Sequence, residues 1–400
     1  MVQKALLLEN IHPLAVSNLK ARGFEVATVG GALDEDELIE QLADVTVLGI
    51  RSKTQVTDHV LASAPNLEAV GAFSIGTNQI DLPAAARRGI AVFNAPYSNT
   101  RSVVELVIGE IVMLVRHIPQ KDRLAHRGVW DKSATGSHEV RHRTLGIIGY
   151  GNIGAQLSVV AEAMGMKVIF YDLQEKLAMG NAERRHSLED LLAEADIVTL
   201  HVDGRKSNTG FFGAEQFAAM KDGAMFINNS RGFVVDIDAL VESLRSGHLG
   251  GAAIDVYPAE PKKRGDAFDT PLAQFDNVIL TPHIGGSTEE AQRNIGRFVS
   301  GKLIDYIKHG DTSLSVNLPT LTLPWHEGIH RIAHIHRNIP GVLAKVNNSL
   351  SELGVNIDSQ VLATRGELGY SVTDVNAWVA DEVLDVLRGM DETIRLRIMG

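Results

Sequence analysis

Thr144-Leu-Gly-Ile-Ile-Gly149-Tyr-Gly151-Asn-Ile-Gly154, followed by Met166-Lys-Val-Ile-Phe-Tyr-Asp172, is the stretch whose reading decides the fold. An apolar strand runs into Gly-x-Gly-x-x-Gly, a helix follows, and a second apolar strand ends on an acid. Each part has a task in holding a dinucleotide. Gly149 permits a tight turn, Gly151 lets backbone approach a pyrophosphate, and Gly154 lets the helix lie close to the strand. The free N–H groups at the helix start face the phosphate charge. Asp172 is placed to accept hydrogen bonds from ribose hydroxyls and would repel a 2′-phosphate. Leu173 and Gln174 behind it carry no positive charge, so NAD is expected over NADP.

Outward from this stretch the strand–helix alternation continues. Thr144–Ile148, Lys167–Tyr171, Asp196–His201, Ala224–Asn228, Ala252–Val256 and Val278–Leu280 read as six strands, enough for a complete Rossmann sheet. Upstream, Lys4–Leu8, Phe24–Val29, Val45–Ile50, Leu67–Ala72 and Ile90–Phe93 are short apolar runs typical of parallel strands, which predicts a small doubly wound α/β domain. Ser102 to Arg127 reads as one long helix. Ser287-Thr-Glu-Glu290 reads as a capping box opening another helix through about Lys308. If that helix packs on the N-terminal domain, the domain is discontinuous and two crossings form a hinge.

Thr320 to Gly328 reads as a linker. Beyond it the pattern is strand (Arg331–His336), helix (Pro340–Leu353), two strands (Val355–Thr364, Tyr370–Trp378), helix (Asp381–Arg388) and strand (Thr393–Ile398). This βαββαβ order is ferredoxin-like. It carries no catalytic constellation, which points to binding or regulation.

Composition narrows the classes. A formal charge of −11 disfavours nucleic acid and anionic membranes as partners. The absence of cysteine excludes disulfides and cysteine metal sites, and no metal site is expected. The N-terminus lacks a signal peptide's apolar core. The most hydrophobic run, Leu106 to Val115, is interrupted by Glu110 and too short for a bilayer. A cytoplasmic protein is the simple expectation.

Three charged residues follow strand ends, at the sheet edge where open α/β folds bind ligands. They are Arg231 in Ile-Asn-Asn-Ser-Arg-Gly, Glu260 in Asp-Val-Tyr-Pro-Ala-Glu-Pro, and His283 in Leu-Thr-Pro-His-Ile-Gly-Gly. Hydride transfer to a keto acid needs a cation to hold the carboxylate and polarise the carbonyl, which arginine's planar fork supplies. It needs a proton donor and acceptor near neutral pH, which suits histidine. A carboxylate beside the histidine orients the ring and favours its charged form. Singly, Arg231 could pair with Asp236, and Glu260 could be a solvated loop acid. Their joint placement favours catalysis. In the first domain, Gly49-Ile-Arg51-Ser52-Lys-Thr, Phe73-Ser-Ile-Gly-Thr-Asn-Gln and Asn94-Ala-Pro-Tyr-Ser-Asn99-Thr-Arg-Ser follow strands and are rich in donors suited to an anionic ligand. Lys132 adds a cation just before the cofactor domain.

Together these motifs resemble the D-2-hydroxyacid dehydrogenases over essentially the whole chain. The closer resemblance is to the bacterial short-form branch acting on a phosphorylated substrate and carrying a C-terminal ACT domain. It implies residues 1–100 and 287–318 as a discontinuous flavodoxin-like substrate domain, 101–286 as the NAD-binding Rossmann domain, 319–328 as linker and 329–400 as the ACT-like domain. It implies NAD-linked oxidation of 3-phospho-D-glycerate to 3-phosphohydroxypyruvate, the entry step of L-serine synthesis, in a homotetramer inhibited by L-serine. His283 is then the acid/base, Glu260 its partner and Arg231 the carboxylate and carbonyl clamp. Arg51, Ser52 and Asn99 bind substrate, with Lys132 a candidate for the phosphate from a neighbouring subunit. The cofactor is lined by Gly149, Gly151, Asn152, Ile153, Gly154, Asp172, Asn229, Ser230, Arg231, Asp255, His283, Gly285 and Gly286. His336, Asn338 and Asn356 sit where the family binds serine; Asn338 would also suit a helix cap. Two departures stand out. Glu327-Gly328 replaces Gly-Gly in the linker, which predicts a stiffer hinge, and Asn229 replaces the commoner alanine. The rival expectations are a dehydrogenase of 2-hydroxyglutarate or another unphosphorylated hydroxy acid, and an NAD-sensing scaffold without catalysis.

Overall fold

The computed structural model describes residues 2–261, 265–376 and 381–400. Its backbone divides into two compact units, residues 1–98 with 292–400, and residues 99–291.

The first unit opens with five parallel strands, β1 (Lys4–Leu7), β2 (Glu25–Thr28), β3 (Val47–Ile50), β4 (Ala69–Ala72) and β5 (Ala91–Phe93), in the order β2-β1-β3-β4-β5. This is the flavodoxin-like order. The strands β3, β4 and β5 are buried along their whole length, as the continuous apolar runs require of strands covered on both faces. The helix Glu289–His309 returns from the far side of the chain and buries Ile295, Val299 and Leu303 against this sheet's core. Its cap is Thr288, whose hydroxyl accepts from Ala291 N at 3.1 Å, one residue later than the capping box read at Ser287.

The second unit holds seven parallel strands: β6 (Thr144–Ile148), β7 (Lys167–Tyr171), β8 (Glu183–Arg184), β9 (Ile197–Leu200), β10 (Ala224–Asn228), β11 (Leu249–Ile254) and β12 (Val278–Leu280). Their order, β12-β11-β10-β9-β6-β7-β8, is the doubly wound Rossmann arrangement, with its switch point between β6 and β9. The two-residue β8 was not legible as a strand, being charged and at the sheet edge. The expected single helix over 102–127 is two, Thr100–Val115 and Ile118–His126. Pro119 cannot donate to a preceding turn, and His117 breaks the run in left-handed backbone (φ 53°).

The C-terminal segment of the first unit is an antiparallel sheet of β13 (His330–Arg337), β14 (Ile357–Arg365), β15 (Leu368–Val375) and β16 (Thr393–Met399), ordered β14-β15-β13-β16. The helices Val342–Glu352 and Asp381–Arg388 complete the ferredoxin-like βαββαβ order. The expected strand end at Trp378 lies outside the described residues. Ala333, Ile335, Tyr370 and Val372 share a core with Ile295 and Val299 of the Glu289–His309 helix. The linker is fastened. The Arg331 side chain is fully buried; it donates to Leu323 O, Pro324 O and His309 O at 2.8–2.9 Å and pairs with Asp374 at 2.6 and 2.8 Å. Among the described residues no helix is long and apolar enough to cross a membrane, and no cluster of metal-ligating side chains occurs.

Candidate active site

The cofactor cradle forms at the carboxyl ends of β6 and β7. Gly149 has φ 92°, and a Cβ there would lie 2.6 Å from His201 O, so the turn at the switch point accepts only glycine. A Cβ on Gly154 would meet Gly149 O at 2.4 Å, which fixes how closely helix Asn152–Ala163 crosses the strand. Around Gly151 nothing lies within 4 Å of a Cβ, and no side chain caps the helix it opens. Open space beside uncapped N–H groups, at Asn152 and Ile153 among others, is what a pyrophosphate needs, so these residues fit a dinucleotide. Asp172 accepts from Tyr150 N and Gln174 N, both at 2.8 Å, and keeps lone pairs for ribose hydroxyls. Arg184 approaches the main-chain oxygens of Asp172 and Gln174 at 3.5 and 3.4 Å, so the acid has a nearby cation that the adjacent residues did not reveal.

The candidate catalytic residues follow β10, β11 and β12 of the same unit. His283 Nδ1 stands 2.9 Å from both oxygens of Glu260, leaving Nε2 for a substrate. His283 is held in left-handed backbone (φ 55°), an uncommon state for a non-glycine residue. The hydrogen bond to Glu260 raises its pKa above the usual histidine value, against an opposing effect of burial. For Glu260, burial pushes upward, but the hydrogen bond and charge of His283 bring the carboxyl net below its ordinary value. Arg231 is half-buried, donates to Ser230 O at 2.7 Å, and feels the charges of Glu260 and Asp203. Gly232 makes its position possible: a Cβ there would come within 1.9 Å of the Tyr257 carbonyl carbon, so the Arg231 turn lies directly on the loop that bears Glu260.

Asp255, 1% exposed, organises the histidine loop. It accepts from Thr281 Oγ1 at 2.6 Å and from Ile284 N and Gly285 N at 2.8 Å. Asn228 accepts from both the N–H and hydroxyl of Ser230. Asn229 turns inward and donates to Glu110 Oε2 at 3.0 Å. Glu110 is fully buried, and that burial pushes its carboxyl up to about 8. In the sequence Glu110 interrupts an apolar run, and an acid on the buried face of a helix is the signal that marks it. Thr281 was missed because threonine before proline is common loop chemistry.

The remaining expected site residues are more dispersed. Arg51 and Ser52 follow β3 in the first unit. Asn99 lies in the second unit, with its side chain packed against Gly286. Lys132 is exposed ahead of β6, in the same loop as Trp130, which is 88% exposed. His336 is buried, with Nδ1 2.9 Å from Arg337 O. Asn338 does not cap the following helix; its amide donates to Gly366 O, and Gly341 opens the helix instead. Asn356 is exposed and precedes β14.

Fold and site together define an NAD-dependent dehydrogenase of D-2-hydroxy acids. Residues 108–285 match the D-isomer specific 2-hydroxyacid dehydrogenase NAD-binding domain, and residues 332–395 match an acetohydroxyacid synthase small subunit-like ACT domain. The solved D-lactate dehydrogenase of Aquifex aeolicus, complexed with NAD and lactic acid, superposes with a TM-score of 0.67 at 26% identity, over 76% of this chain and 95% of that one. The D-3-phosphoglycerate dehydrogenase of Haemophilus influenzae is 52% identical over 99% of this chain and 97% of its own length; that of Escherichia coli K12 is 51% identical over the same shares. The chain belongs to the D-3-phosphoglycerate dehydrogenase family.

Proposed function

We propose that the chain oxidises 3-phospho-D-glycerate to 3-phosphohydroxypyruvate with NAD, under feedback control by L-serine. The observation that carries the reading is the His283–Glu260 pair at 2.9 Å, in a loop anchored on Asp255 and within the field of the Arg231 charge. In this reading His283 Nε2 takes the proton of the C2 hydroxyl as the carbonyl forms, and Glu260 stabilises the imidazolium that results. Arg231 holds the substrate carboxylate and polarises the C2 oxygen. The cofactor, when bound, supplies the acceptor for the C2 hydride. In the reverse direction His283⁺ returns its proton to the carbonyl oxygen. Arg51, Ser52, Asn99 and Lys132 are proposed to bind substrate, and Asn229, Ser230, Gly285 and Gly286 to border the cofactor.

The ACT-domain match supports regulation by a small ligand, which we propose to be L-serine, with His336, Asn338 and Asn356 as its ligands. The same reading carries a cytoplasmic homotetramer. The test is NADH oxidation with 3-phosphohydroxypyruvate near neutral pH, with and without L-serine. Turnover suppressed by serine supports both halves of the reading. Turnover indifferent to serine removes the effector, and absence of turnover removes the substrate in favour of an unphosphorylated hydroxy acid.

A further inference from the structure

Four consecutive backbone N–H groups in the first unit converge on one carboxylate. Glu9 Oε1 accepts from Arg51 N at 3.2 Å and Thr54 N at 2.9 Å, and Oε2 accepts from Ser52 N and Lys53 N at 3.1 Å. Successive N–H groups aimed at one point form an anion-binding nest. Here the anion is a side chain of the chain itself, only 8% exposed. Glu9 and Asn10 both adopt left-handed backbone, at φ 59° and 53°. L side chains avoid this region, and strain at two successive non-glycine residues persists only where the surroundings over-determine it. The turn after β1 is thus bent to place the carboxylate under the loop after β3.

A second buried side chain acts on the same loop. Gln79, 4% exposed, donates Nε2 to the Arg51 carbonyl oxygen and lies within 3.5 Å of Ser74 Oγ and Gly76 O. The Arg51 backbone is therefore held at its N–H by Glu9 and at its C=O by Gln79. The Ser52 and Lys53 side chains at the loop's crest are exposed, and Arg51 is half-buried.

We propose that Glu9 and Gln79 are positioning residues for substrate binding, fixing the 51–54 loop so that the Arg51 guanidinium and Ser52 hydroxyl meet an anionic group of the substrate. The inference rests on the reading that Arg51 and Ser52 bind substrate, and it adds how they recognise it. Glu9 occupies all four backbone donors, so the loop offers no free nest to the substrate. Recognition falls to side chains, and a guanidinium favours the planar or multi-oxygen anions it can grip with two parallel hydrogen bonds.

The test uses the full-length enzyme and the kinetics of 3-phosphohydroxypyruvate reduction, with NADH affinity by fluorescence as a check on the second unit. The variants are Arg51→Ala, Glu9→Gln, Gln79→Ala and the double variant Arg51→Ala/Glu9→Gln. Glutamine at position 9 keeps one acceptor oxygen for four N–H groups. The expected result is a KM raised about tenfold by Glu9→Gln, the effect of roughly one lost buried hydrogen bond, with kcat and NADH affinity nearly unchanged. In the Arg51→Ala background the same change should add less than about threefold, since coupled residues are non-additive. An unmoved KM in Glu9→Gln, with KM raised in Arg51→Ala, overturns the inference and leaves Arg51 a ligand. Equal KM effects of Glu9→Gln in both backgrounds also overturn it. A KM unmoved by Arg51→Ala removes the underlying reading and the inference with it. Should Glu9→Gln not fold, Gln79→Ala made alone and in the Arg51→Ala background answers the same question.

Discussion

Replacing Glu110 by glutamine should flatten the pH dependence of stability. Glu110 is fully buried on the helix Thr100–Val115. One oxygen accepts from Asn229; the other has no partner among the described residues. Burial above all, with Asp255 nearby, pushes its carboxyl from an ordinary 4.5 up to about 8. The folded-state pKa of this acid is raised, so between those two values the folded chain binds a proton that the unfolded chain has lost. Stability therefore falls as pH rises through the window and levels off above it. At 1.36 kcal/mol per pH unit the loss reaches about 3 kcal/mol by pH 7 and about 5 kcal/mol by pH 8. Glutamine has the same shape and no proton to lose. Urea unfolding of both proteins at pH 6, 7, 8 and 9 should show the variant gaining on the parent by about 1.4 kcal/mol per unit up to pH 8, with no further gain beyond. Parallel curves for the two proteins would refute the reasoning, because Glu110 would then be ionised when folded or solvated by water.

Three further outcomes follow from the same geometry. His283→Asn should lower kcat for 3-phosphohydroxypyruvate reduction by roughly 10²–10⁴ while NADH binding, read by fluorescence, is retained; near-full activity would remove the acid/base assignment. Glu260→Gln removes the main cause that raises the His283 pKa, so the imidazole should lose its proton at lower pH. Reduction needs that proton, so the alkaline limb of its kcat/KM profile should move to lower pH, and an unmoved limb would contradict the pairing. Asp374→Asn leaves the fully buried Arg331 guanidinium without its counter-charge. Unfolding should then cost about 3–5 kcal/mol less in urea, and a change under 0.5 kcal/mol would show the carbonyl contacts suffice.

Much of the fold was legible because it depends on local patterns. Short apolar runs bounded by glycine and polar turns mark β1 through β7 and β9 through β12, and the Gly149–Gly154 fingerprint marks the turn between β6 and its helix. Arg231, Glu260 and His283 were legible for a related reason: each follows a strand end, and an open parallel sheet brings those ends to one edge. The misreadings were also local. Apolar spacing across Ser102–Arg127 hides the break at His117 and Pro119, and Ser287 and Thr288 are too alike chemically for spacing to tell which caps the helix at Glu289.

What the sequence by itself determined is the strand–helix order, the cofactor fingerprint and which charged residues reach the sheet edge as the proposed catalytic group, since these follow from periodicity, turn chemistry and spacing. Only the tertiary structure decided that Asp255 anchors the His283 loop, that Asn229 faces Glu110, that Arg331 pins the linker and that Glu9 fills the nest at 51–54. Most of these are bonds between residues far apart in the chain; Arg331 reaches only eight residues back to Leu323, but its guanidinium is aimed there by Asp374, 43 residues on. Their direction and strength come from burial, and burial exists only once the chain has folded.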